Sequence, residues 1–262
     1  MKPTPGRLSA ALLLPVLLVG PMFAVAMVSK MWPQRPPESL FVPIEALGVG
    51  LPALLLAGPG NVRQRLLSSG WQAFRPNMLA GAVLGMLGLA ILMTYGQMAW
   101  GSLTGLSMPE GLVALMTIEG PGPKLAWLSI GAVILPGLCE EMAFRGVIQR
   151  GLFGVHDASG SVPWFRLLVV AVLFADFHRD FYGLPSYLIL GGWLGLVAWR
   201  TGSLWPGAMA HMANNALALL QANLLEDPWW IANASFLVPL GLLALAAGIW
   251  WVFRPARKAM AP

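Results

Sequence analysis

Charge is scarce in this sequence. Only 10% of the 262 residues are Asp, Glu, Lys or Arg, against roughly 25% in an ordinary soluble domain. With 57% hydrophobic residues and a mean hydropathy of +0.70, that scarcity excludes a soluble globular protein and points to an all-α integral membrane protein. Cysteine is nearly absent. Cys139 alone excludes an internal disulfide framework and a cysteine-rich zinc site. No His-Glu-x-x-His occurs, which counts against the common zinc-protease helix. No Gly-x-Ser-x-Gly elbow occurs either, which counts against a serine hydrolase. Internal repeats, low-complexity tails and soluble domains are missing, so residues 1–262 read as one polytopic membrane domain. The net charge of +5 carries no nucleic-acid signal, because basic residues of a membrane protein sort by side of the bilayer.

What is present is a series of long apolar runs. They predict about eight spans, near 8–28, 40–60, 78–98, 125–148, 165–181, 184–199, 204–224 and 229–253. The first resembles a signal peptide, with Ala24-Val25-Ala26 like a cleavage site, but more spans follow and a retained helix kinked at Pro15 and Pro21 is expected. The second carries Glu45 between Pro43 and Pro52. Between the third and fourth, the apolar stretch Gly111–Ile118 is expected at the interface. This threading puts Lys30, Arg35, Lys124 and Arg179 on one side and the other 12 of the 16 basic residues on the side of the termini. Both termini are therefore expected in the cytoplasm, as in a multi-pass protein of a prokaryotic inner membrane.

Ionisable groups within such spans are costly and usually functional. The fourth carries Leu138-Cys139-Glu140-Glu141-Met142-Ala143-Phe144-Arg145. Glu141 and Arg145 are four apart and share a helix face, so they are expected to pair. That leaves Glu140 without a cation, which suits it to take and return a proton. His178 lies on the fifth span, and His211 and Asn215 share a face of the seventh. Counted at ~1.5 Å per residue from the cytoplasmic ends, all four reach one layer. Hydrolysis of an amide needs an activated water and a stabiliser for the oxyanion. Glu140 with His178 can supply the first, and His211 with Asn215 the second. Glu140, His178 and His211 also suit a zinc ion with one open position. The residues leave both mechanisms open.

Glu140-Glu141-x-x-x-Arg145, Phe174-x-x-x-His178 and His211-x-x-x-Asn215 follow, in order, the three motifs of the CPBP family, the CAAX-processing and bacteriocin-processing (Abi) membrane endopeptidases. Gly202-Ser203-Leu204-Trp205-Pro206 also resembles the approach to the third motif. The resemblance covers about 125–220. It implies an eight-helix membrane fold and a glutamic, metal-free endopeptidase without a cofactor, zinc being the alternative. Water would be activated by Glu140 and His178, with His211 and Asn215 at the oxyanion and Glu141 and Arg145 in support. The implied partners are a membrane-tethered protein or peptide substrate and the bilayer, with no nucleic acid.

Plainer roles are assigned elsewhere. Asn214 is expected to pack between helices, Asp176 to pair with Arg179 or face a cavity, and Cys139 to act as a small apolar residue. His156 and Asp157 are expected in a solvated loop, and Glu45 along a water or substrate path. Two other classes of function compete with the endopeptidase. One is a non-catalytic immunity or scaffold protein. The other is a proton-coupled transporter, which the lack of a repeat disfavours.

Overall fold

The computed structural model describes residues 5–21, 38–118, 123–154, 161–224 and 227–254, with the single positions 23, 27 and 31. The Ala24-Val25-Ala26 site, Glu119, His156 and Asp157 lie outside the described residues. Every described element is helical. In chain order these are α1 (Pro5–Leu17), α2 (Phe41–Leu56), α3 (Val62–Ser69), α4 (Pro76–Thr104) and α5 (Glu110–Met116). There follow α6 (Lys124–Phe153), α7 (Trp164–His178), α8 (Leu184–Thr201), α9 (Trp205–Leu224) and α10 (Asp227–Phe253).

Three of these, α4, α6 and α10, are long and apolar enough to cross a membrane. They coincide with the third, fourth and eighth runs of the sequence. The other expected spans are helical over most of their described residues but shorter or more polar. The second ends at Leu56 rather than near residue 60, because Gly58 and Gly60 adopt positive φ and turn the chain into α3. The fifth ends at His178, where Arg179 takes a left-handed conformation at φ 51°. α5 is a short helix within the stretch expected at the interface.

Small residues set a close helix crossing. Gly81, Gly85 and Gly88 of α4 face Gly241 and Gly248 of α10. A Cβ on Gly248 would lie 2.4 Å from the Cα of Gly85, and one on Gly88 would lie 2.5 Å from the carbonyl of Gly241. Within a bilayer such backbone approach supplies the packing that hydrophobicity cannot. Gly248→Val is therefore expected to destabilise the fold by about 1–3 kcal/mol, read as a lower unfolding temperature in detergent. An unchanged temperature would place the two helices further apart than described. Away from this seam α10 presents Phe236, Leu243 and Trp250 outward, as a lipid-facing helix does.

Prolines loosen two of the helices. In α2 and α6 wide π-helical turns occupy Ile44–Gly50, Ser129–Ile134 and Glu141–Gln149. The first two end just before Pro52 and Pro136. Proline has no N–H to give the carbonyl four residues back, so Pro136 leaves the carbonyl of Ala132 open. Asn215 of α9 fills the vacancy, its Nδ2 donating to that carbonyl at 3.1 Å. The sequence thus breaks α6 beside the Glu-Glu pair and repairs it with a side chain from another helix. Such π-helical turns are frequent at functional sites.

Candidate active site

The Glu-Glu pair lies deep among α6, α7, α8 and α9. Glu141 and Arg145 are fully buried, and Nη1 of Arg145 donates to Oε1 of Glu141 at 2.8 Å. This is the i,i+4 pair expected from the sequence. Nη2 of Arg145 donates to the carbonyl of Gly191 at 3.0 Å, and its guanidinium stacks 4.5 Å from the Phe174 ring centre. One side chain therefore fastens α6 to α7 and α8. Gly207 of α9 makes room for the carboxylate: a Cβ there would come within 3.0 Å of Oε2 of Glu141.

His211 stands between the two glutamates. Its Nδ1 lies 3.2 Å from Oε1 of Glu141, and its Nε2 lies 3.9 Å from Oε2 of Glu140. The carboxylate held by Arg145 accepts, so Nδ1 carries the hydrogen and Nε2 turns to Glu140. Glu141 is thus more than a partner for Arg145; it orients a histidine 70 residues away in the chain. Glu140 is 4% exposed, and its Oε2 has no hydrogen-bond partner.

His178 closes another wall. Its Nδ1 donates to the carbonyl of Phe174 at 2.9 Å, because that oxygen can only accept. Nε2 keeps its lone pair. The ring stacks on Tyr187 at 4.0 Å between centroids and 21° between planes. Tyr187 in turn reaches Oδ2 of Asp180 at 3.4 Å. The sequence offered no sign of this stack, since it depends on how α8 rotates against α7.

A cavity of about 320 Å³ joins these groups. Glu140, His178, His211 and Asn215 all line it, together with Glu45, Asn214, Asp180 and Tyr187. Glu141 and Arg145 are not on its wall; they stand behind it. Glu140 and His178 share the wall without a hydrogen bond between them, so Glu140 sits nearer His211 than the sequence alone suggested. Asn214, expected only to pack, donates from Nδ2 to Oδ1 of Asn215 at 3.1 Å. The Ala132 carbonyl can only accept, which fixes which end of the Asn215 amide is the donor. Asp176 and Arg179 form an exposed ion pair at 3.3 Å, away from the chemistry as expected. Cys139 is a buried free thiol packed against Gly50.

Among the described residues no three of His, Cys, Asp or Glu are grouped so as to hold a metal ion. The set Glu140, His178 and His211 does not form such a group.

Three helices long and apolar enough to cross a membrane point to an integral membrane protein, and two of them, α4 and α6, help to line the cavity that Glu140, His178 and His211 share. Residues 122–217 match the Rce1-like family, described as type II CAAX prenyl endopeptidase Rce1-like, in keeping with the CPBP motifs. The matched stretch contains Glu140, Glu141, Arg145, His178, His211 and Asn215. No curated protein and no solved structure matches the chain.

Proposed function

We propose that the protein is a glutamic-type intramembrane endopeptidase acting on a membrane-tethered protein or peptide. One observation carries this reading above the others. Glu140 is a buried carboxylate with an unpartnered oxygen, on the wall of a cavity that His178, His211 and Asn215 also line. Oε2 of Glu141 is unpartnered too, but Glu141 is held by Arg145 and lies off the cavity wall, whereas Glu140 is on the wall with no cation bound to it.

The chemistry follows from these positions. A water held between Glu140 and Nε2 of His178 attacks the scissile carbonyl carbon and gives a proton to Glu140. The carbonyl oxygen becomes an oxyanion. His211 enters the step as an imidazolium, its Nε2 proton taken from solvent before the substrate binds, and that N–H and the second N–H of the Asn215 amide donate to the oxyanion. As the C–N bond breaks, the proton on Glu140 passes to the leaving nitrogen. Glu141 holds His211 in register, and Arg145 holds Glu141. The eight-span threading with cytoplasmic termini, in a prokaryotic inner membrane, belongs to the same reading. The sidedness of the basic residues supports it.

The metal-free form is tested with purified full-length protein and a membrane-tethered reporter in proteoliposomes. Cleavage is expected to change less than about twofold under a strong chelator, and elemental analysis is expected to find no stoichiometric zinc. Loss of cleavage on chelation, with restoration by zinc, would overturn the metal-free step.

A further inference from the structure

The cavity has an electrostatic bias that hydrolysis itself does not require. Glu45, Glu140 and Asp180 line it, and none of its lining residues among those described is lysine or arginine. Asp180 is occupied, accepting from the Tyr182 N–H at 3.0 Å and from Tyr187. Glu45 is not. It comes from α2, outside the matched stretch, and its Oε2 is shut off from solvent with no hydrogen-bond partner. Glu140, 4% exposed, has an unpartnered oxygen on the same wall. The nearest buried cation, Arg145, has both terminal nitrogens committed to Glu141 and Gly191.

A carboxylate held away from water is costly unless a donor or a cation meets it. Glu140 meets the reacting water. Glu45 has no such duty in the reaction, and its buried Oε2 meets no protein donor. A cation carried by the substrate would satisfy it. The cavity has no cation to receive a free C-terminal carboxylate and would repel one. It is built for the opposite sign.

We propose that Glu45 is the specificity residue of this site and receives the basic side chain of a lysine or arginine that lies beside the scissile bond of the substrate. The proposal rests on the endopeptidase reading above. An apolar peptide with one basic residue near the cut suits the cavity, whose wall also carries the flexible apolar side chains of Met93, Met108 and Met116.

The test uses the purified full chain and internally quenched apolar decapeptides. Each carries lysine, norleucine or glutamate at one position near the centre, and cut sites are read by mass spectrometry. A charge-assisted hydrogen bond predicts lysine over norleucine by about 10- to 100-fold in kcat/KM at one position, with glutamate poorest. Glu45→Gln is expected to reduce that ratio to about threefold or less, and Glu45→Asp to keep most of it. The ratio is read within each variant, so differences in the amount of active protein cancel. Cleavage by the wild type without a lysine preference overturns this inference alone, as does a preference that survives in Glu45→Gln or vanishes in Glu45→Asp. No cleavage of any peptide above the Glu140→Gln background overturns the endopeptidase reading and this inference with it.

Discussion

Glu140→Gln is expected to slow peptide-bond hydrolysis by about 10²- to 10⁴-fold while leaving the protein folded and at normal abundance. The amide keeps the shape of the side chain but cannot take a proton from water. Little stability should be lost, because Oε2 of Glu140 makes no hydrogen bond and the nearest ring nitrogen, Nε2 of His211, is 3.9 Å away. Loss of activity at unchanged unfolding temperature is the signature of a residue that touches the reacting atoms. Normal cleavage by the variant would mean that the buried carboxylate serves packing alone.

Arg145→Met is expected to act the other way, through stability. Arg145 is fully buried and satisfies Glu141 at 2.8 Å and the carbonyl of Gly191 at 3.0 Å. Removing the cation strands the Glu141 carboxylate, at a cost of about 3–5 kcal/mol. The double variant Glu141→Gln/Arg145→Met should recover a good part of that loss, since no charge is then left unpaired. Arg145→Lys is expected to fall between, because an ammonium keeps the charge but lacks the planar fork and the stacking over Phe174. Heat unfolding of the four proteins in one detergent checks the order. A single Arg145→Met variant as stable as the wild type would show the ion pair to be dispensable.

The two predictions separate because adjacent glutamates occupy different environments. Successive helix residues point ~100° apart, so one carboxylate turns to Arg145 and the other to the cavity. His211 touches both, one ring nitrogen to each. That much follows from position along one helix, and the sequence revealed part of it. Glu141 with Arg145 and Asp176 with Arg179 were legible as near neighbours on a single helix. The helices themselves were legible from the apolar runs, and Glu140, His178, His211 and Asn215 of the three motifs meet on one cavity wall.

Contacts between helices were not legible. The stack of His178 on Tyr187, the bond from Asn215 to Ala132 and the place of Glu45 on the cavity wall all depend on how helices rotate and how deeply they sit against one another. Hydrophobic periodicity is weak in chains that are apolar on every face, so it does not fix those rotations. One signal was available. Pro136 in the middle of α6 requires a foreign donor for the Ala132 carbonyl, and an asparagine on a neighbouring helix is a natural source. The lengths of the helices were the other departure. Glycine turns and the left-handed Arg179 end α2 and α7 before the apolar runs do.

The central claim is proteolysis by Glu140. The most direct measurement compares protein termini in membranes of cells that carry the wild type or Glu140→Gln, at equal levels confirmed by blotting. New termini found only with the wild type are the predicted result, and they would name the substrate and its cut site together. Identical termini at equal expression, under conditions where the gene affects the cell, would contradict the account and favour a non-catalytic membrane protein.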